Sequence, residues 1–210
     1  MFTKTIFKSA QKDLALLDSI IKKQGNFMRQ FYLAGGTALA IHLGHRISYD
    51  LDFFSKSDFV PQELLSMLHA RDNCPNIKNV MINIGSLQLK CNTNISFFKY
   101  DYNLIELIDI HPIYNWLNLA SIEDIALMKV TAISSRGHKK DFIDLYFALK
   151  HLNWNKQMLL EKLLFKYPDA NIQHLLISLK WFEDADKDTS SLNMVHQVSW
   201  DAIKQFFINF

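Results

Sequence analysis

The chain has little of what marks a secreted, zinc-binding or membrane-spanning protein. It carries two cysteines in 210 residues. Cys74 and Cys91 are far apart and lack metal-ligand spacing, so there is no zinc signal, and the pair reads as two incidental thiols of a reduced intracellular protein. No apolar run reaches transmembrane length, and no signal-peptide pattern opens the chain. Asp13 and Asp18 among the early basic residues argue against a transit peptide. The expected location is therefore the cytoplasm, with no membrane partner. A basic domain is missing too. Of the 23 Lys and Arg and 21 Asp and Glu, twelve basic and ten acidic residues fall in positions 1 to 120, and eleven of each fall after that. There is no internal repeat or low-complexity tract.

What the chain does have is apolar residues, 49% of the total with sixteen Phe, enough for a substantial core. Their spacing divides it. A helix is predicted from Ser9 to Gln24, closed at Gly25, and another from Pro61 through Ala70. Short strands are predicted over Phe31 to Ala34 and Asp50 to Phe54, then as VMINI and LQLKCN around Gly85 and Ser86, NISFFKY and LIELIDI. After Ser121 only helical patterns remain, ending with an amphipathic segment from Trp200 to Phe210; DADKDTSSLN, residues 184 to 193, reads as a polar loop. The fold class is α+β: a mixed-sheet domain over 1–120 and a helical bundle over 121–210, with a site in the cleft between them.

Two of the six glycines stand together at Gly35 and Gly36, between a short strand and the helical pattern TALAIHL. Glycine lets the backbone approach a ligand closely, and the free N–H groups of a helix start bind phosphate, here with the Thr37 hydroxyl beside them. After thirteen intervening residues, Asp50, Leu51, Asp52, Phe53 and Phe54 alternate acidic with apolar at the period of a strand. Both carboxylates leave one face, with Cα atoms roughly 6.5 Å apart, and can share hard cations that prefer oxygen ligands. Two acids so close require open solvent or a compensating charge. His45 and Arg46 adjoin the pair. The same residues also fit a tight turn followed by the solvent face of an edge strand.

A second cluster lies in SIEDIALMKVTAISSRGHKKDFIDLYFALKHL, residues 121 to 152, two predicted helices broken at Gly137. Ser121 with Asp124 makes a capping-box-like start. Lys129 and Arg136 fall on the apolar stripe of Ile122, Ile125, Ala126 and Ile133, so the cations point inward, where an ammonium needs a carboxylate or a phosphate. Asp141 and Asp144 share one face of the next helix, as ion-pair partners for these cations, as catalytic acids, or as both. Arg136, His138, Lys139 and Lys140 form the one dense basic cluster.

Together the two segments resemble the AbiEii/AbiGii nucleotidyltransferase toxin family of the polymerase-β-like superfamily, over a span from Phe31 to Leu149. GHRISYDLDFF and RGHKKDFIDLYFAL are the most specific strings. The resemblance implies that Asp50 and Asp52 hold Mg²⁺ (or Mn²⁺). Gly35, Gly36 and Thr37 then cradle a nucleoside triphosphate, Lys129 and Arg136 neutralise the leaving group, and Asp141 or Asp144 supplies the family's later acid. It also implies an RNA, tRNA-like, or a protein as acceptor, and a cognate antitoxin. One feature departs from the superfamily pattern: a third carboxylate is expected on a neighbouring strand, and NISFFKY contains none, Asp101 only following it. A related transferase with another acceptor, either a protein adenylyltransferase or a small-molecule enzyme, and a non-catalytic nucleotide-binding module are the alternatives.

Overall fold

The computed structural model describes residues 6–69, 77–106 and 109–210. Helix α1 (Lys8–Gln24) ends at Gly25, a 3-10 turn follows at Phe27–Gln30, and then come β1 (Tyr32–Leu33), α2 (Gly35–Leu43), β2 (Leu51–Ser55) and α3 (Pro61–His69). Strands β3 (Lys78–Asn83), β4 (Ser86–Lys90), β5 (Asn94–Lys99), β6 (Asp109–Ile110) and β7 (Asn118–Leu119) complete one mixed sheet, ordered β3-β4-β5-β2-β1-β7-β6. The rest is helical: α4 (Ile122–Arg136), α5 (Lys139–Leu152), α6 (Lys156–Lys166), α7 (Ile172–Ser178), α8 (Glu183–Lys187) and α9 (Trp200–Asn209). The α+β class and the helical second half are as expected from the sequence. No helix among the described residues is long and apolar enough to cross a membrane.

Strand β2 sits at the centre of the sheet, and its alternation gives it one face in the core and one toward the cavity. Leu51 and Phe53 are buried, and Phe53 stacks on Phe97 of β5 at 5.2 Å. They join a cluster that includes Leu14, Leu17 and Ile20 of α1. Each such side chain contributes roughly 1.5 to 3 kcal/mol by leaving water. Helix α1 is also tied by charge: buried Asp13 accepts hydrogen bonds from Thr93 N at 2.8 Å and from the Asn92 side chain at 2.6 Å, which fixes the β4–β5 turn. The other face of β2 carries Asp52 and Phe54 toward the helices. There α2 packs on α4 and α5, the pair that forms the spine of the helical half.

Four local expectations change. The glycines occupy the first turn of α2 rather than a turn before it, so their N–H groups belong to the helix start. Leu104–Glu106 is not strand: the N–H groups of Ile105 and Glu106 are held by the buried Asp124 carboxylate, which also binds Lys166 at 2.6 Å. Leu107, Ile108 and Ala70 lie outside the described residues. The predicted polar loop begins inside a helix: Glu183–Lys187 forms α8, tied to α9 where Trp200 Nε1 and Lys204 Nζ donate to Asp186. Finally, Cys91 is disulfide-bonded rather than a reduced thiol; Cys74 lies outside the described residues.

Candidate active site

A cavity of about 630 Å³ opens between the sheet and α4. The sheet side supplies Asp50, Asp52, Phe54, Gln88, Ser96, Phe98 and Tyr100, the start of α2 supplies Gly35, Gly36 and Thr37, and α4 supplies Lys129 and Arg136. The two sequence segments thus meet across one space, although residues 55–120 lie between them.

The glycine turn is shaped by what crowds it. Gly35 has φ +65°, left-handed backbone that favours glycine, and a Cβ there would lie 3.4 Å from Asp52 Oδ2. At Gly36 a Cβ would overlap the Arg46 guanidinium and lie 3.2 Å from Asp144 Oδ2. The missing side chain therefore makes room for an ion pair as well as for a ligand. The first-turn N–H groups have no intrahelical acceptors. The Thr37 hydroxyl, expected beside a phosphate, is engaged by the protein: it bonds Ser48 Oγ at 2.8 Å and the Asp50 carbonyl. It anchors the chain just before β2, so that Asp50 and Asp52 emerge beside the helix start.

Asp50 accepts a hydrogen bond from Asn94 Nδ2 at 2.9 Å. Burial raises the Asp52 carboxyl above the usual range, and the Asp50 charge adds to the effect. No protein cation pairs with either side chain among the described residues. That uncompensated negative charge, on oxygen ligands facing a cavity, fits a divalent cation. Mg²⁺ is typically held by one or two carboxylates plus substrate phosphates, so two acids suffice. No group of three or more metal-binding side chains occurs among the described residues. Strand β5 runs parallel to β2, with Ser96 directly beside Asp52. A serine hydroxyl thus stands beside the acid on the neighbouring strand, where a third carboxylate was expected. Asp101 is exposed, pairs with Lys99 at 3.2 Å and stays outside the cavity.

Across the cavity the charges are fully arranged. Lys129 Nζ lies 2.8 Å from Asp141 Oδ1 and 2.6 Å from Asp144 Oδ2. Arg46 grips Asp144 with two nitrogens at 2.6 and 2.8 Å, and Arg136 grips Asp141 at 2.8 and 3.0 Å. Both aspartates are 0% exposed and neither lines the cavity. Of the parts expected for Asp141 and Asp144, ion-pair partner, catalytic acid or both, the structure displays the ion pairs, with Lys129, Arg136 and Arg46 held at the wall. Despite burial, these cations hold both carboxyls below the usual range, Asp144 well below. Three cations face two carboxylates, which leaves one positive charge toward Asp50 and Asp52. Lys140 adds another at the rim, while Lys139 lies over Trp200.

Sequence reasoning gave His45 no role. It is fully buried, with Nε2 2.9 Å from Asp144 Oδ1 and Nδ1 unpartnered. Burial lowers its pKa, so the neutral ring is favoured. Its adjacency to Arg46 was the available signal. The segment from Leu192 to His196 was missed as well. It runs back along His45–Ile47, with Ile47 N donating to Asn193 O at 2.8 Å and Val195 N to His45 O at 2.9 Å, and Leu192 closes the cavity rim.

Comparison with known proteins agrees with this geometry. The profile of the family described as "Nucleotidyl transferase AbiEii toxin, Type IV TA system" matches residues 19–75 and 90–209. An uncharacterized protein of Aquifex aeolicus is 34% identical over 181 residues, 84% of each chain. Among solved structures, JHP933 from Helicobacter pylori superposes with a TM-score of 0.53 at 20% identity, over 96% of this chain and 90% of that one. The nucleotidyltransferase toxin MenT4 from Mycobacterium tuberculosis gives 0.53 at 15% identity, over 95% and 82%. With the glycine turn, the acid pair and the α4–α5 charge network falling inside the matched span, the chain belongs to the AbiEii nucleotidyltransferase toxin family.

Proposed function

We propose that this nucleotidyltransferase moves a nucleoside monophosphate from a nucleoside triphosphate to an RNA acceptor, as the toxin of a toxin–antitoxin pair. The observation that carries the reading is the opposition of the uncompensated pair Asp50 and Asp52 to a wall of held cations across one cavity.

Asp50 and Asp52 would hold Mg²⁺ (or Mn²⁺). The ion supplies charge neutralisation at the phosphate oxygens and orients the reacting groups. The N–H groups of Gly35, Gly36 and Thr37 bind phosphate oxygens at the positive end of α2. Lys129 and Arg136, fixed by Asp141 and Asp144, stabilise charge that gathers on the departing pyrophosphate. Because these cations are held before substrate arrives, little reorganisation is needed, and most of the catalysis is positioning and electrostatics. The antitoxin would be a protein that suppresses this activity in the cytoplasm.

The test is transfer of α-phosphate label from each of the four triphosphates, with Mg²⁺, to total bacterial RNA and protein. Label in RNA from wild type but not from Asp52→Ala is the expected result. Label in protein instead replaces the acceptor class, and label from both chains alike overturns the site. Induction in bacteria should arrest growth with wild type and not with Asp50→Ala plus Asp52→Ala.

A further inference from the structure

Beyond the acids, the cavity face of the sheet changes character. The register places Asp52, Ser96 and Gln88 side by side on β2, β5 and β4. Two residues further along, Tyr32, Phe54 and Phe98 form the next row. Phe54 lies 5.5 Å from Phe98 and 5.7 Å from Tyr100, centroid to centroid, and 6.1 Å from Tyr32. Phe54, Phe98 and Tyr100 all line the cavity and are only half-buried. Tyr100 is fixed from behind by a 2.6 Å hydrogen bond between its hydroxyl and that of Tyr167. This is a rigid aromatic floor, opposed by Met128, Thr131 and Ala132 of α4.

Such a floor is out of keeping with the rest of the site. A triphosphate and its cation need oxygens, N–H groups and charge, and none of these rings supplies them. Half-exposed aromatic faces in a polar cavity leave apolar surface that a flat, polarisable group would cover. Gln88 is the second anomaly. It lines the same cavity, yet its carboxamide makes no hydrogen bond with the described residues. It offers two donors and one acceptor beside the floor. The spacing completes the picture: Phe54 follows Asp52 by two strand residues, roughly 6.5 Å, about the span of one ribose. Helix α4 roofs the floor and also carries Lys129, so one ligand can reach from the phosphate-binding end to the rings.

We infer that Phe54, Phe98 and Tyr100 form the stacking surface for the base of the nucleoside triphosphate, with Gln88 reading its edge and setting which base is taken. Stacking accepts any base because every base has a π-face, so selectivity falls to the amide. The inference rests on the nucleotidyl-transfer reading, and its test separates the two.

The full chain is titrated calorimetrically, with Mg²⁺, against ATP, CTP, GTP and UTP and against ribose 5-triphosphate, which keeps the phosphates and lacks the base. Wild type should bind at least one of the four about tenfold more tightly than ribose 5-triphosphate. Phe98→Leu should remove most of that difference and leave ribose 5-triphosphate affinity unchanged, which also shows that the fold is intact. Gln88→Ala, at a half-buried position with no internal partner, should flatten the ranking of the four. Equal affinity of wild type for nucleotides and ribose 5-triphosphate overturns the floor while leaving the phosphate site standing. Base preference unchanged in both variants overturns it too. A base effect seen only with an oligoribonucleotide titrated without triphosphate gives the rings to the acceptor and overturns their assignment to the triphosphate. No binding of any triphosphate overturns nucleotidyl transfer itself and the floor with it.

Discussion

Two pairs of aspartates, Asp50 with Asp52 and Asp141 with Asp144, face the same region of the molecule and meet opposite fates. Among the described residues no cation forms an ion pair with the strand pair, which faces the cavity, and burial together with the Asp50 charge pushes the Asp52 carboxyl up. The helix pair is wholly buried, yet three cations hold its carboxyls down. The difference is who supplies the positive charge. In the helix pair the protein does, and the group becomes part of the framework; in the strand pair the charge is left for a ligand to bring.

The largest expected break in this contrast is Asp144→Ala. It leaves Arg46 and Lys129 buried with one carboxylate fewer, and removing one member of a buried pair costs about 3 to 5 kcal/mol. A denaturant titration should register it, and an unchanged midpoint would mean the network is not holding the helices. Asp52→Ala should do the reverse: no loss of stability, because it relieves repulsion, but a fall in transfer rate of about 10²- to 10³-fold, the scale of losing one major electrostatic group. Label transfer and thermal melting on the same sample separate these outcomes. Gly36→Ala lies between the pairs. Its methyl would collide with Arg46, and overpacking of this kind costs about 1 to 3 kcal/mol. Both melting temperature and triphosphate affinity should drop, whereas loss of affinity alone would mean the glycine serves only the ligand.

The smallest effect is pH dependence. His45 has a folded pKa below its unfolded value near 6.5. The unfolded chain therefore binds more protons below that pH, so stability falls as pH drops from about 6.5 toward the folded pKa. The two network aspartates add a later loss, as pH falls below about 4 toward their depressed values. His45→Gln should flatten the first part of the curve and leave the second. A slope unchanged above pH 5 would show that His45 does not set it.

Much of the frame was legible because local rules wrote it. Ser121 capping Asp124 N and the stop at Gly137 place α4 at Ile122–Arg136, the span expected from the sequence. The alternation of Asp50 to Phe54 gave β2, which starts one residue later at Leu51 with both acids lining the cavity, and the strand pattern of NISFFKY gave β5. Less legible were features that depend on distant partners. Leu104–Glu106 has a strand-like pattern, but its N–H groups are taken by Asp124, which with Lys166 forms a buried pair joining α4 to α6. The strand β7 is two residues long and exists only through its pairing with β1 and β6. Residues 188–193 read as polar loop, and they are irregular, yet their end is pinned along His45–Ile47.

The sequence by itself determined that a strand follows Asp50 and carries Asp52, that Lys129 rides the inner stripe of a helix, and that another helix begins beside the glycine pair. Each of these follows from a period of two or of 3.6 residues and from backbone sterics, which act over a few positions. Only the tertiary structure decided which acid meets which cation, that Ser96 stands beside Asp52, and that Phe54, Phe98, Tyr100 and Gln88 share a cavity with the acids. Those outcomes depend on strand register and helix packing across separations as large as the 98 positions between Arg46 and Asp144. Coulomb attraction and close packing, rather than local pattern, choose the partners there.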